Sequence, residues 1–269
     1  YELLRGNAGG QNGWETNAAP KNLISQSHVR RFVLMGLGSE YKLSSIATAY
    51  ANITQAYRPI QFSNLQIIPG GDSIHPNLQD ARGYNADIGI KGQYKEVFQF
   101  DASVYYLSYK NRIGTMLDAT SQKRMIANIG NSISKGVELF FAFTPFASKS
   151  SIRYPWRIQC YTSYSYNDAR YADDFMQDNI KGKKVENAPE HILRSGIKFE
   201  LNQVQLDAQY SYVSGCFSDA ANTIQPNANA QVGWIPSYRL VDLTASLKIK
   251  SFIQLRAGIN NLFDTRYFT

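Results

Sequence analysis

Residues of the types that commonly catalyse reactions are few in this chain, and their spacing does not suit catalysis. The three histidines, His28, His75 and His191, stand in neither an HExxH nor an HxH arrangement, which would let two ligands reach one metal. The glycines at 36–38 lack the third glycine of a nucleotide-binding loop, and no GxSxG nucleophile motif occurs. The sequence therefore predicts a chain that is not an enzyme and has no cofactor of its own.

The sequence offers residues that could bind an anion more readily than residues that could catalyse a reaction. Arginine offers a planar fork of N–H donors that matches a carboxylate, and tyrosine and glutamine can add hydrogen bonds. Several such residues lie at or beside long polar segments, and we expect one or two of them to contact a ligand. The others would be ordinary solvated charges. The candidates are Arg58, Arg82, Arg112, Arg124, Arg170, Tyr171 and Gln177, accompanied by His75 and His191.

The elements that must position these side chains are β-strands. Apolar and polar residues alternate with a period of two, most cleanly in 98–106, 203–212 and 241–249. Many alternating segments exceed the ~5–6 residues of an ordinary strand and fit the ~9–11 residues of a tilted membrane strand. No convincing 3.6-residue repeat occurs, so almost no helix is predicted. The ten predicted strands lie near 29–40, 45–57, 84–94, 97–110, 125–144, 154–167, 190–200, 203–215, 237–249 and 252–261.

Short and long connections alternate between these strands, which is typical of a bacterial outer-membrane barrel with its loops on one side and its turns on the other. Tyrosines gather at the strand ends that lead into the long loops, as an aromatic ring at a membrane interface requires. One connection, at 145–153, has a medium length where a short turn is due. Short turns are predicted near 41–44, 95–96, 201–202 and 250–251, and long loops near 58–83, 111–124, 168–189 and 216–236.

Strand parity puts charged residues on the face opposite the apolar one. Burying such charges in a small dry barrel would cost several kcal/mol each, whereas a wide lumen that holds water or a polar plug removes that cost. A sandwich with one solvated face would also tolerate them. The strongest candidates for lumen-facing charges are Asp101, Glu138, Asp207, Asp242 and Arg256.

Composition narrows the class of protein further. Among the 269 residues, 18% are charged and 13% aromatic, which is fewer charges and more aromatics than in an ordinary soluble domain. Mean hydropathy is −0.34, and no run approaches the ~20 apolar residues of a membrane helix, so a helical membrane protein is excluded. The net charge of +7 comes without any Lys/Arg-rich run, which argues against nucleic acid as a partner. The two cysteines, Cys160 and Cys216, form no CxxC pair, and we predict ordinary thiols.

Several segments resemble the C-terminal barrel of TonB-dependent receptors. The most specific is 258–267, which reads G-x-x-N-L-F-D-x-x-Y after an alternating strand. The segment 217–223 looks most like the ferric-citrate branch of the family. The resemblance covers most of residues 30–269, and its other segments are 50–59, 134–139, 187–191 and 235–243.

This resemblance implies an antiparallel transmembrane β-barrel in the outer membrane of a Gram-negative bacterium, with long extracellular loops and short periplasmic turns. Residues 1–269 are expected to supply about ten strands of a 22-stranded barrel, without the plug domain and without the closing C-terminal strand. Ten strands leave two open edges, which lipid does not tolerate, so we expect that this part does not fold stably or work by itself.

The implied function is uptake of a ferric chelate, either ferric citrate or a siderophore complex, and iron would enter only as part of that substrate. The expected partners are the receptor's own plug domain, the TonB–ExbB–ExbD system, outer-membrane lipid and lipopolysaccharide, whose phosphates arginine can also contact. The lumen charges would hydrogen-bond the plug.

Two other functional classes remain open from the sequence. One is a passive or gated outer-membrane channel, which would show the same alternation without energy coupling. The other is a soluble β-sandwich that binds carbohydrate, which would fold in water without detergent. Within the receptor family, uptake of vitamin B12, nickel or glycans fits equally well.

Overall fold

The computed structural model describes residues 32–60, 72–117, 124–148, 155–174, 179–226, 232–250 and 253–268. Regular structure in these ranges consists of strands alone, and none of them contains a helix that could cross a membrane. The strands are β1 (Gly36–Lys42), β2 (Ala47–Arg58), β3 (Asp72–Ile74), β4 (Ala81–Tyr94), β5 (Phe98–Leu117), β6 (Arg124–Ala147), β7 (Trp156–Tyr171), β8 (His191–Leu201), β9 (Val204–Val213), β10 (Cys216–Phe217), β11 (Trp234–Ile235), β12 (Tyr238–Lys250) and β13 (Ile253–Ile259).

Ten strands form one antiparallel sheet in which neighbours in space are neighbours in sequence, apart from short insertions. The order is β1-β2-β4-β5-β6-β7-β8-β9-β12-β13, while β3 pairs in parallel with β6, and β10 pairs with β11. The all-β class, the antiparallel arrangement and the ten predicted strands are therefore confirmed. In the described part of the chain β1 pairs only with β2 and β13 only with β12, and both are exposed along their whole length.

The connections separate onto two ends of the sheet, as predicted. At one end, which we call the short-turn end, β4 joins β5 and β8 joins β9 through turns where Lys95 and Asn202 have φ of 49° and 51°. Asparagine tolerates this left-handed conformation well, and it suits the tight hairpin turn between twisted strands. We call the opposite end the long-loop end. The strand predicted from 29 begins only at Gly36, and 29–31 lie outside the described residues.

The long loop predicted at 111–124 is wrong in extent. The two strands that flank it continue their ladder, with Thr115 opposite Ile126 and Leu117 opposite Arg124, because β3 adds a third strand beside this extension. Polar composition suggested a loop, but pairing with neighbouring strands decides whether a polar segment is extended. Short strands also interrupt two of the three other long loops, namely β3 in 58–83 and the β10–β11 pair in 216–236.

Register gives the sheet two chemically different faces. One row of paired positions, Asp87–Tyr105–Gly136–Asn167, is polar, and the adjacent row, Ile88–Val104–Val137–Tyr166, is apolar and aromatic. We call the polar side the inner face and the apolar side the outer face. Val104 is 50% exposed and Ile197 is 56% exposed, and in the described ranges no second sheet covers them. This arrangement contradicts the β-sandwich alternative, which requires two apolar faces packed together.

Aromatic side chains border the outer face at both ends. Towards the short-turn end, Phe98 stacks on Phe100 and Phe141 with ring centroids 5.7 and 6.2 Å apart. Towards the long-loop end stand the exposed rings of Tyr84, Tyr106 and Tyr210. Phe100 and Tyr106 are six residues apart on β5, which corresponds to about 20 Å along the strand. An apolar band between two aromatic rows is the outer surface of a transmembrane β-barrel.

Most of the buried residues in the described part of the chain lie at the long-loop end. Ile129 and Tyr171, on β6 and β7, pack against Ile180 and Val185 from the following loop, and each of the four is at most 3% exposed. We call the loop segment 179–188 the strap. The strap is held by apolar packing, so it is an ordered part of the long-loop end.

Candidate functional site

The middle of the inner face is built from a repeated contact between three strands. In each copy a tyrosine ring lies over a glycine on the next strand, and its hydroxyl donates a hydrogen bond to a residue on the strand after that. A side chain in place of the glycine would occupy the space of the ring. The three sets are Tyr50–Gly89–Asp101, Tyr105–Gly136–Asn167 and Tyr161–Gly196–Asp207, with hydrogen bonds of 2.8, 2.9 and 2.8 Å.

Replacing Gly196 with alanine is expected to destabilise the sheet by about 1–3 kcal/mol, because overpacking forces the ring or the backbone to move. A Cβ atom at Gly196 would lie 2.3 Å from the Tyr161 ring. The measurement is urea unfolding of the full-length protein in lipid vesicles. Gly258→Ala is the matched control, since its nearest neighbour would be the Leu243 carbonyl oxygen at 3.2 Å. Equal losses for the two variants would contradict this role of the ring.

The five candidate lumen charges all lie on the inner face by register, and the structure gives them different surroundings. Asp101 and Asp207 accept the tyrosine hydrogen bonds of the wall itself. Glu138 is exposed between Ser103 and Ser165, and Arg256 is exposed opposite Ser246. Glu138 also borders an open polar concavity of about 860 Å³ that includes Lys91 and Arg194.

The fifth candidate, Asp242, holds the turn that follows β13. Its Oδ1 accepts the backbone N–H of Asn261 at 2.7 Å. Asn261 has φ of 52°, and its side-chain amide bonds both the N–H and the carbonyl oxygen of Thr265 at 2.9 Å. The asparagine thus replaces missing backbone partners in a tight turn. This gives the N-L-F-D segment a structural role.

At the long-loop end, a β-bulge brings Arg112 onto the inner face. Tyr109 is opposite Ser132 and Arg112 is opposite Gly130, so β5 uses three residues where β6 uses two. Asn111, with φ of 57°, takes up the extra residue. Because side chains alternate between faces, one inserted residue moves the next side chain to the other face. A second shift follows directly after Arg112, where β6 supplies the extra residue between Gly130 and Asn128. Without the bulge, Arg112 would point to the outer face.

Arg112 forms an ion pair with the carboxylate of Glu186, a residue of the strap. Its Nη2 lies 3.4 Å from Oε1 of Glu186, and the Tyr171 hydroxyl donates to the other carboxylate oxygen of Glu186. Tyr171 is 2% exposed, and burial, together with the negative charge of Glu186, raises the pKa of its phenol. The Nε of Arg112 is buried without a hydrogen-bond partner among the described residues. The guanidinium therefore keeps one donor that no described protein group satisfies.

A second polar contact lies beside this cluster. Asp173 accepts hydrogen bonds from the backbone N–H and the side-chain amide of Asn131. Together with Arg112, Glu186 and Tyr171, these groups form a polar cluster at the long-loop end. We call these five residues the rim cluster. The arginine fork is engaged by Glu186, and an anion at this position would have to compete with that carboxylate.

The remaining candidates divide between the two faces. Register puts Arg58 on the inner face, opposite Ala81, whereas Arg82 and Arg170 are exposed on the outer face. Arg170 pairs with Asp168 at 2.7 Å. Arg124 is the first residue of β6, and Gln177 lies outside the described residues.

Neither histidine among the candidates belongs to the rim cluster. On the outer face the His191 ring is stacked on Tyr164 and tilted against Tyr166, with ring centroids 6.1 and 5.3 Å away. The Nδ1 of His75 accepts the backbone N–H of Asn77. Among the candidates whose side chains the structure describes, only Arg112 and Tyr171 contact a common group, Glu186.

Sequence reasoning missed Glu186, Asp173 and Asn131. Glu186 is 74 positions from Arg112 in the chain, and nothing local marks it. The bulge did leave a signal in residue types, because β5 has Asn111 at the bulge and β6 has Gly130 opposite the next residue, Arg112. Asparagine and glycine are the residues that accept positive φ at bulges.

This chain is similar to a known protein family, to curated proteins and to solved structures. The family model described as TonB dependent receptor-like, beta-barrel, matches residues 4–262. Among curated relatives, the vitamin B12 transporter BtuB of Photobacterium profundum is 24% identical over 240 residues, covering 86% of this chain and 34% of the relative. The probable TonB-dependent siderophore receptor PiuA of Acinetobacter baumannii is 22% identical over 277 residues, covering 95% and 34%.

Solved structures show the same fold. The unliganded ferric citrate transporter FecA superimposes with a TM-score of 0.64 at 18% identity, covering 88% of this chain and 34% of that one. The copper transporter OprC gives 0.62 at 14% identity, covering 86% and 34%. This chain therefore spans about a third of the length of the proteins it matches.

Proposed function

The chain belongs to the TonB-dependent receptor β-barrel family, and from this premise we propose that it forms part of the barrel wall of a receptor that takes up an anionic ferric chelate with energy from TonB. Family membership confirms the outer-membrane location and the prediction that the chain is not an enzyme. Curated relatives are named for vitamin B12, siderophore and metal-pseudopaline, so the cargo has to be argued from this chain's own residues.

The observation that carries the proposal is the two-faced sheet. Its outer face is apolar and bordered by aromatic rings, while its inner face carries charged and hydroxyl side chains from β2 to β13. The outer face would contact the bilayer, and the inner face would contact a hydrated lumen that holds the plug domain. A passive channel would have the same two faces. The two functions differ in whether transport depends on energy supplied through TonB.

An anionic chelate is the cargo that best fits the inner side of the long-loop end. Arg112 has a buried Nε without a described partner, and beside it lies the neutral hydroxyl of Tyr171, which donates to Glu186 in the absence of a ligand. Arg58 lies at the same end on the same face. Ferric citrate and many siderophore complexes carry carboxylates or other anionic oxygens that match these donors. Arg82 and Arg170, on the outer face, are better placed for lipid phosphates.

The middle of the inner face suits a plug domain. Lys91, Asp101, Glu138 and Arg194 border one concavity with both signs of charge, and Lys91 pairs with Glu40 at 2.6 Å. Exposed charges of mixed sign provide donors and acceptors for a folded polar partner. The plug domain and the TonB–ExbB–ExbD system are the partners that this proposal requires.

The proposal is tested by iron-limited growth of a bacterium that produces the full-length receptor as its sole route for a ferric chelate. Ferric citrate is the first substrate to supply, followed by ferric catecholates. We expect growth in cells with TonB and none in otherwise identical cells without it. Equal growth without TonB would replace energised uptake with a passive channel.

A further inference from the structure

The ion pair between Arg112 and Glu186 uses only part of the arginine fork. Nε and Nη2 form one edge of a guanidinium and can give two parallel hydrogen bonds to one carboxylate. Here Nη2 lies 3.4 Å from Oε1 of Glu186, whereas hydrogen bonds between two charged groups are usually ~2.7–2.9 Å long. The Nε is buried and has no hydrogen-bond partner among the described residues. This edge of the guanidinium therefore keeps unused capacity for an oxyanion.

Tyr171 explains why Glu186 does not fill the fork. The Oε2 atom of the carboxylate accepts a hydrogen bond from the Tyr171 hydroxyl, so this oxygen is turned away from the Nε of Arg112. Tyr171 belongs to the same buried cluster as Ile129 and Ile180, and this packing fixes the position of its hydroxyl. A carboxylate that moves off the cation can keep the tyrosine bond, so it is not left without a partner.

The backbone on either side of Glu186 is held in place. The N–H of Val185 donates to the carbonyl oxygen of Ala169 at 3.0 Å, and the N–H of Asn187 donates to the carbonyl oxygen of Phe217 at 2.8 Å. The Val185 side chain is also buried in the apolar cluster under the strap. The Glu186 side chain can therefore change its rotamer while the strap keeps its position.

We propose that Glu186 is a specificity-determining residue, which occupies the place of the ligand's oxyanion on Arg112 and yields only to a chelate with two adjacent anionic oxygens, such as a free carboxylate. This inference rests on the proposed function, since Arg112 is the ligand contact there. A paired oxyanion gives short hydrogen bonds to both Nε and Nη2, which the single long contact of Glu186 does not provide. A neutral chelate gains nothing comparable when it displaces the carboxylate. The pair is within reach of a ligand, because the side chains of Arg112 and Glu186 are 24% and 13% exposed.

Equilibrium binding of iron-labelled ferric citrate to the purified full-length receptor tests the proposal. Glu186→Gln is expected to tighten binding about tenfold, because Arg112 no longer exchanges one charged hydrogen bond for another. When Arg112→Gln is already in place, Glu186→Gln is expected to have no further effect, as in any double-mutant cycle between two coupled groups. A neutral ferric hydroxamate is the second probe, and Glu186→Gln is expected to leave its binding nearly unchanged.

Two controls separate this role from changes in net charge and in folding. Asp168→Asn also removes one negative charge from a carboxylate paired with an arginine at the long-loop end, but Asp168 lies on the outer face, 2.7 Å from Arg170. It is expected to leave the affinity for ferric citrate unchanged. Hydrogen exchange of the Val185 amide reports on the strap, and its protection is expected to be equal with and without Glu186→Gln.

The outcomes distinguish this inference from the proposed function. Ferric citrate binding that Glu186→Gln does not tighten, or that Asp168→Asn tightens equally, would overturn the role of Glu186 and leave the anionic cargo in place. An equal gain for the neutral hydroxamate, or a gain that comes with loss of Val185 protection, would also overturn it. If no variant binds ferric citrate, both the cargo and the role of Glu186 are wrong. Growth that does not depend on TonB would contradict energised uptake alone, because binding is measured without TonB.

Discussion

Arginine in place of Val104 is expected to destabilise the sheet by about 2–4 kcal/mol, the cost of a cation on the lipid-facing side near the bilayer midplane. Val104 is 50% exposed on the outer face, between Ile88 and Val137. In water such a surface change would cost almost nothing, so a large effect requires a lipid neighbour. The measurement is the urea dependence of folding of the full-length receptor in phosphatidylcholine vesicles.

The neighbouring residue supplies the control. Ser103 lies on the inner face, opposite Gly89 and Glu138, where an added arginine meets polar groups. Ser103→Arg is expected to change the free energy of unfolding by less than about 1 kcal/mol. Similar losses for both substitutions would mean that the two faces meet the same environment, which the barrel interpretation does not allow.

Glutamine in place of Arg112 is expected to weaken binding of a ferric chelate by about 10–100-fold, since hydrogen bonds to charged groups contribute ~1.5–3 kcal/mol. The change removes the planar fork and the buried Nε, and it leaves Glu186 without its cation. Arg112→Lys is expected to recover only part of the affinity, because lysine keeps the charge without the fork. Equilibrium binding of iron-labelled ferric citrate to the purified receptor is the measurement.

Arg170→Gln is the matched control for Arg112. Both arginines stand near strand ends at the long-loop end and both pair with a carboxylate, but Arg170 points to the outer face. Its loss is expected to leave chelate affinity unchanged. If Arg170→Gln weakens binding as much as Arg112→Gln, the effect arises from net charge at this end of the molecule and not from the rim cluster.

The parts of the structure that follow from local sequence were predicted well. Period-two alternation in β5, β9 and β12 is a property of consecutive residues, so counting positions assigned Asp101, Asp207 and Asp242 to one face. The segment 258–267 has a mainly local structure, since Asn261 closes a turn to Thr265 and β12 adds the Asp242 carboxylate and the Val241 carbonyl oxygen.

Parts that depend on distant partners were not predicted. The extension of β5 to Leu117 depends on pairing with β6, and the position of Glu186 depends on apolar packing of the strap against Ile129 and Tyr171. The three tyrosine–glycine contacts need the register of three strands at once. Sequence patterns report the periodicity of one strand and leave its neighbours undetermined.

The central claim, that one face of this sheet meets lipid and the other a polar lumen, is tested most directly by single cysteines along β5. Positions 99–106 of the full-length receptor are replaced one at a time after Cys160 and Cys216 are changed to serine, and each is spin-labelled in bilayers. Even-numbered positions are expected to be accessible to oxygen dissolved in the lipid, and odd-numbered positions to be shielded from it. Oxygen accessibility that does not alternate along β5, or equal exposure of both faces to water, would contradict the claim.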